Sequence, residues 1–344
     1  MTNHTNRAVI LKQRPQGEIQ EGDLALEERP VRELKEGEVL AKVLWLSLDP
    51  SMRPRMNDAK GYMDPIGLDE VIVGESVARI VEFRSDNIKV GDLVTCYSGW
   101  QEYVVFPANA EMVYKIEPKD NVPLQAYLGV AGMPGRTGYC GLMYVGKPTS
   151  GETVVVSAAS GPVGTVVGQT ARKEGCRTVG VAGGPEKCRY VVEELGFDAC
   201  VDYKAGNLEA DLKAACPQGI DVYFENVGGD TLRAALPLLN DFARVPLCGV
   251  IAWYDGDRSA QPLLAAELMS TLLVKRVEIR AFIILDQYPD HYAGFARDMS
   301  AWVGDGKVKI REDVVEGLEQ APAAFIGMLQ GKNFGKALVR VAAD

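Results

Sequence analysis

Thr153-Val154-Val155-Val156-Ser157-Ala158-Ala159-Ser160-Gly161-Pro162-Val163-Gly164, with Gly168 four residues further on, is the stretch that decides the fold. An apolar, β-branched run leads into a tight turn of small residues. The turn opens a segment that reads as a helix to about Glu174. Strand, glycine turn and helix, in that order, form the grammar of a dinucleotide site. Ala159 stands where G-x-G-x-x-G has its first glycine; it keeps the turn small but takes a positive φ less readily. Gly161 lets the backbone approach a pyrophosphate, and Gly164 lets the helix pack closely on its strand. The phosphates would lie at the helix N-terminus, held by unpaired N–H groups and the helix dipole. Ala159, Gly161, Pro162, Val163 and Gly164 are therefore assigned to cofactor binding.

Outward from this turn, strands and helices alternate. Strands are expected at 153–158, 177–182, 199–202, 221–224, 243–248 and 278–284, with helices at 162–174, 185–196, 207–215, 229–239 and 263–275 between them and a last one near 290–304. Repeated βα units imply a doubly wound parallel sheet covered on both faces, an α/β domain of Rossmann type. Residues 7–120 differ: short runs such as Arg7 to Leu11, Glu38 to Leu48, Ser76 to Phe83, Asp92 to Tyr97 and Glu102 to Phe106 suggest a β-rich, barrel-like domain. The tail is expected to form a helix near Gly317–Gln330 and a strand, Lys336 to Val341, that returns to the first domain. The expected domains are 1–125 with 309–344, and 126–308.

The end of the second strand bears on cofactor choice. An NAD site usually carries Asp or Glu there, about 20 residues after the glycines, to hold the ribose 2′-hydroxyl. This chain has Gly183-Gly184-Pro185-Glu186-Lys187, with Arg189 two further on. A lysine near a 2′-phosphate is favoured and an acid is repelled, so NADP(H) is favoured over NAD(H). Glu186 argues the other way, and Lys187 also has a reading as a solvated surface lysine. Tyr203 ends the third strand, where it could reach the same phosphate. Glu225-Asn226-Val227-Gly228-Gly229 ends the fourth, where glycines again permit close approach. Both positions also read as ordinary strand-end punctuation.

Composition narrows the function further. A net charge of −10 argues against nucleic acid or an anionic membrane as main partner. No apolar run approaches the roughly 20 residues of a membrane span, and Met1 to Gln20 lacks the apolar core of a signal peptide, so a cytoplasmic location is expected. Seven cysteines at wide spacings, with no C-x-x-C, read as reduced and mostly buried thiols. With two histidines, His4 and His291, the chain lacks the Cys and His ligands of a catalytic zinc; Val73-Gly74-Glu75-Ser76 stands where such a histidine would follow a glycine. No metal is expected. No G-x-S-x-G is present either, which leaves hydrolysis by an activated serine without support. The remaining chemistry is hydride delivery to an acceptor that is already electrophilic.

The layout resembles the medium-chain dehydrogenase/reductase superfamily, with a β-rich GroES-like domain, a Rossmann domain and a returning tail strand. It is most similar to the zinc-free, NADPH-dependent double-bond reductases of the curcumin, leukotriene/prostaglandin and plant alkenal reductase type. The resemblance is carried by Leu46 to Arg53, Gly132 to Tyr139, Ala158 to Gly164, Val181 to Cys188, Glu225 to Gly229 and Gly331 to Lys336, in order along nearly the whole chain. It implies that Gly183, Lys187 and Tyr203 form the 2′-phosphate corner and that Asn226 lies along the cofactor. Cys248 opens the segment to Tyr254, and both are assigned to the cofactor site. Asn333 would contact the nicotinamide end. Tyr254 would line the cleft, and Tyr62 would do so from an N-terminal loop; these two are the catalytic candidates. The implied reaction delivers hydride from nicotinamide C4 to the β-carbon of an enone or enal. Tyr254, Tyr62 or a ribose hydroxyl would donate to the developing enolate oxygen. Two departures stand out: Ser51 replaces the tyrosine of Asp-Pro-Tyr-Met-Arg, and Arg136 replaces an apolar residue. A homodimer is implied, with 278–284 as the edge to be paired or covered. Two other readings stay open: a quinone reductase of the same superfamily, and a non-catalytic NADPH-binding protein.

Overall fold

The computed structural model describes residues 4–61, 63–83, 88–119, 121–255, 262–287 and 291–344. The chain forms two units, Gly129–Arg311 and Met1–Leu128 with Glu312–Asp344.

In the first of these, a six-stranded sheet runs in the order Ala199–Asp202, Arg177–Ala182, Thr153–Ser157, Ile220–Phe224, Leu239–Leu247, Glu278–Ala281. Every neighbouring pair is parallel. Thr153–Ser157 is buried along its whole length, as a strand covered on both faces must be. Its side chains alternate between two cores. Val154 and Val156 pack with Cys140, Val167, Phe224 and Phe282; Val155 packs with Val179, Val181, Tyr223 and Val245. Helix Pro162–Lys173 follows directly, with Pro162 in the first turn, where its missing N–H costs nothing, and Arg172 and Lys173 against the negative end of the dipole.

Several expected boundaries move. Helix 229–239 stops at Ala235, a 3₁₀ turn through Pro237 follows, and the next strand already begins at Leu239. Ahead of the sheet, an α-helix over Met133–Cys140 loosens into a π-helix over Gly141–Gly146. The run 278–284 ends as a strand at Ala281. Phe282 and Ile284 turn inward to the core, with Phe282 set edge-on to Phe224, so the apolar residues of this run are spent inside the unit. Glu278, Arg280 and Ala281 of the strand itself are exposed.

The second unit carries a mixed seven-stranded sheet and a two-stranded one. The tail strand Lys336–Arg340 pairs antiparallel with Glu38–Ser47 and parallel with Glu312–Glu316. The core beneath holds Leu46, Leu48, Met52, Trp100, Phe325 and Val339. Asp49 and Lys336 form a buried ion pair: Lys336 Nζ donates to Asp49 Oδ1 at 2.6 Å and to Leu48 O at 2.9 Å, and Ser47 Oγ donates to the other carboxylate oxygen. Among the described residues no helix is long and apolar enough to cross a membrane.

Candidate functional site

Strand order reverses at Thr153–Ser157, whose neighbours are Arg177–Ala182 on one side and Ile220–Phe224 on the other. Crossovers leave such a point in opposite directions, and the carboxyl ends of the strands there border a crevice. Two loops line it, Ala158–Gly161 and Glu225–Gly229.

In the first loop, the left-handed backbone falls on Ala158, at φ 53°, and not on Ala159. Ala159 is fully buried; its Cβ would lie 2.7 Å from a β-carbon placed on Gly180. Its smallness is therefore demanded by packing on the second strand and not by turn conformation. Gly161 caps the helix: its N–H donates to Ala158 O at 3.0 Å, and its carbonyl accepts from Thr165 N at 2.8 Å. A β-carbon on Gly164 would stand 2.5 Å from Ala158 O and 2.7 Å from Ala159 Cα, both backbone atoms that no rotamer change can move. Gly164→Ala is expected to cost about 1–3 kcal/mol, the usual range for overpacking. A urea midpoint equal to that of the parent would reject this packing role.

The corner at the end of the second strand is organised by Asp202. Its Oδ1 accepts from Gly184 N at 2.7 Å and from Lys204 N at 2.9 Å, tying the ends of the second and third strands together. Gly184 takes φ 98° and caps helix Pro185–Glu193. A β-carbon on Gly183 would lie 2.8 Å from both Cε1 and the hydroxyl of Tyr203, so the missing side chain is what lets the tyrosine ring lie there. Tyr203 is 44% exposed, and Lys204 Nζ stands 5.8 Å from its ring centroid. Lys187 sits in the first turn of the helix, half-buried, while Glu186 beside it is exposed. The structure thus gathers Gly183 and Tyr203 and adds Lys204 as a second cation. Asp202, at the end of the third strand, faces backbone N–H groups.

The second loop is held by a residue to which sequence reasoning gave no role. Glu225 is fully buried, and its Oε1 accepts from Ser157 Oγ at 2.9 Å and Val227 N at 2.7 Å. Burial raises its pKa, against the pull of these donors. Its only sequence signal is an acid at the end of an apolar strand. Asn226 is anchored to the central strand, donating from its backbone N to Ser157 Oγ and from Nδ2 to Ser157 O, each at 2.8 Å. Gly228, at φ 77°, leaves room for the Trp253 ring, 2.9 Å from where a β-carbon would be. Tyr254 ends the short turn Ile251–Trp253 and folds back: its hydroxyl lies 3.3 Å, and Asn226 O 3.4 Å, from a β-carbon placed on Gly249. Tyr254 and the Asn226 loop are therefore neighbours. Burial pushes the Cys248 thiol up to about 12, so it stays protonated at neutral pH.

In the other unit, Asn333 shapes its own turn, donating from Nδ2 to Gly335 O at 2.8 Å. Ser51 begins the short helix Met52–Arg55 without capping it through its side chain. Arg136, in the Gly129–Arg311 unit, is 3% exposed. Tyr62 lies outside the described residues, as do residues 256–261 of the loop after Tyr254. Among the described residues no group of three or more His, Cys, Asp or Glu side chains could hold a metal ion.

A parallel sheet reversed at its central strand, a glycine turn at the switch point and a mixed-sheet unit built from both ends of the chain define a two-unit dinucleotide-dependent oxidoreductase. The family described as N-terminal domain of oxidoreductase matches residues 7–116, and that described as zinc-binding dehydrogenase matches residues 162–300. The chain is 46% identical over 340 residues to the NADPH-dependent curcumin reductase of Escherichia coli K12, covering 98% of each. It is 38% identical over 345 residues to the NADP⁺-dependent 2-alkenal reductase of Nicotiana tabacum, covering 99% of this chain and 98% of the relative. The crystal structure of CurA from Vibrio vulnificus in complex with NADPH matches with a TM-score of 0.94 at 44% identity, over 98% of this chain and 100% of that one. The chain belongs to the zinc-free double-bond reductases of the medium-chain dehydrogenase/reductase superfamily.

Proposed function

We propose that this protein is an NADPH-dependent reductase of the carbon–carbon double bond in α,β-unsaturated ketones and aldehydes. The observation that carries the reading is the 46% identity, across both units, to a relative named as an NADPH-dependent curcumin reductase. The residues present fit the cofactor. A β-carbon would crowd Gly164 and Gly183, Tyr203 lies against Gly183 with Lys204 near its ring, Lys187 stands in the first turn of the next helix, and Asp202 is turned to backbone donors.

When bound, NADPH supplies the hydride that goes to the substrate β-carbon. The turn from Ala159 to Gly164 offers helix N-terminal N–H groups to the pyrophosphate. Lys187 and Tyr203 take the 2′-phosphate. Asn226 and Cys248 flank the cofactor, and Asn333 serves the nicotinamide end. Negative charge develops on the substrate carbonyl oxygen, and a hydroxyl donor there lowers the barrier by a few kcal/mol. Tyr254 and Tyr62 are the proposed donors; as phenols they are hydrogen-bond donors at neutral pH and weak acids. Holding the reacting carbons in register supplies much of the remaining acceleration. The protein is proposed to work as a homodimer, with Glu278–Ala281, the terminal strand of the sheet, as the edge a second copy covers.

The test is direct. The pure protein is mixed with NADPH and 3-nonen-2-one or curcumin, and loss of the NADPH absorbance band is followed. Oxidation coupled to loss of the double bond is expected. Absence of turnover across several enones and enals sinks the reading. Turnover confined to quinones moves the chain to the quinone reductases, and tight NADPH binding without turnover makes it a binding protein.

A further inference from the structure

Among the described residues of the Gly129–Arg311 unit, Glu225 is the one acid that is buried. Burying a carboxyl costs free energy that an apolar residue at the end of an apolar strand would not. Such departures from packing rules gather at functional positions.

Glu225 stands among three strand ends. Its carbonyl accepts from Cys248 N at 2.9 Å and Gly249 N at 3.1 Å, just past the strand Leu239–Leu247. Its side chain reaches Ser157, at the end of the strand on the other side. A peptide group is planar, so the direction of its N–H fixes that of its C=O. Two consecutive peptide groups are held at their N–H ends by the Ser157–Glu225 pair. Asn226 N donates to Ser157 Oγ at 2.8 Å, and that hydroxyl donates to Glu225 Oε1 at 2.9 Å. Val227 N donates to the same Oε1 at 2.7 Å. The carbonyl of the Asn226–Val227 peptide group accepts in turn from Ile251 N at 3.4 Å, and the Val227 carbonyl accepts from Ala252 N at 3.0 Å. Ile251 and Ala252 belong to the short turn that ends in Tyr254, and Tyr254 N donates to Ile251 O at 3.2 Å. The turn that carries Tyr254 thus hangs on backbone whose direction the Glu225 carboxyl sets.

We propose that Glu225 is a positioning residue for the reduction: it orients the backbone at Asn226 and Val227, and through it the turn that presents Tyr254. The proposal rests on the reading of Tyr254 as a hydroxyl donor given above. A donor lowers the barrier only when it is aimed at the oxygen on which charge develops, and a misplacement of about 1 Å costs about 100-fold.

Cofactor affinity has other supports. The Asn226 side chain is anchored on a backbone atom, Ser157 O, at 2.8 Å. The Gly161 turn is closed by its bond to Ala158 O, and the Gly184 corner is tied to Asp202. Loss of the Glu225 carboxyl therefore falls on the catalytic step and hardly on NADPH.

The experiment compares the full-length parent with Glu225→Ala, Glu225→Gln, Tyr254→Phe and the double variant Glu225→Ala/Tyr254→Phe. The kcat is measured with 3-nonen-2-one at saturating NADPH, and the NADPH dissociation constant by fluorescence titration. Glu225→Ala should lower kcat about 10- to 100-fold with the dissociation constant within about threefold of the parent's. Glu225→Gln keeps an acceptor oxygen of the same reach and should recover most of the loss. In the Tyr254→Phe background, Glu225→Ala should lower kcat by no more than about threefold further, because the group it aims is already gone. Ser157→Ala removes one of the two donors to the carboxyl and serves where Glu225→Ala fails to fold; it should lower kcat about 3- to 10-fold, again without weakening NADPH. Losses that multiply in the double variant, a Glu225→Gln variant as slow as Glu225→Ala, or NADPH affinity that falls in step with kcat overturns the positioning role. So does Glu225→Ala at the parent's kcat beside a slow Tyr254→Phe. Failure of the tyrosine reading is recognised separately: Tyr254→Phe then runs at the parent's kcat, and the route through that hydroxyl falls with it.

Discussion

Lys187→Ala is expected to weaken NADPH binding about 10- to 100-fold, with NADH affinity changed by no more than about twofold, because the lost interaction is a charge-assisted hydrogen bond to a phosphate NADH lacks. The expectation follows from the charges at this corner. Glu186, adjacent in sequence, is exposed, and Asp202 accepts from Gly184 and Lys204 backbone N–H groups. On the proposed reading, Lys187 and Lys204 supply the positive charge for the phosphate while Asp202 is engaged by backbone donors. Lys204 stands by the Tyr203 ring and retains part of the attraction, which sets the upper end of the loss near 100-fold and not beyond. Tyr203→Phe removes a neutral donor and should cost less than the lysine. The parent's preference for NADPH should also shrink as salt rises, since the corner is solvent-facing. Equal losses for both nucleotides on Lys187→Ala would show that the lysine acts on the helix and not on the phosphate.

Much of this arrangement was legible because it is local. The run Thr153–Ser157, the turn after it and the helix from Pro162 announce themselves by period and by residue size, and the successive βα units set the parallel sheet. The strand that closes the sheet was read too long because Phe282 and Ile284 look alike in a strand edge and in a core; a change of direction after Ala281 decides between them, and composition does not encode it. The turn was read with its strain one residue late, since A-x-G-x-x-G marks where glycines fall but not which residue bears the positive φ, here Ala158. The role of Asp202 was missed for another reason. A carboxylate at a strand end reads as a ribose ligand or as punctuation, and only the folded corner shows it occupied by two backbone donors. Glu225 gave a weaker signal still: a buried acid is expected to be rare, and its partners Ser157 and Val227 come from two different strand ends.

The contact least accessible to sequence reasoning joins residues 287 positions apart, and it carries the largest expected effect on stability. The side chains of Lys336 and Asp49 are 3% and 12% exposed, and their charges meet at 2.6 Å. Lys336 opens the tail strand, which pairs with Trp45, Leu46 and Ser47. The ion pair therefore sits where the two ends of the chain become one unit. Its net worth against a well-packed apolar pair is small, because both ions lost their water. Removing one partner is a different matter, since it leaves the other charge buried without its counter-ion. Lys336→Met should destabilise the unit that holds it by about 3–5 kcal/mol, and Asp49→Leu by a similar amount. Combining the two should recover most of the loss, because the double variant buries no unpaired charge and Leu48 O loses only one donor. Urea unfolding of the three variants, followed by the fluorescence of Trp45 and Trp100 in this unit, measures the cycle. Additive losses in the double variant would mean that the two charges do not stabilise one another, and that the tail is held by its strand pairing and by the Phe325 and Val339 core alone.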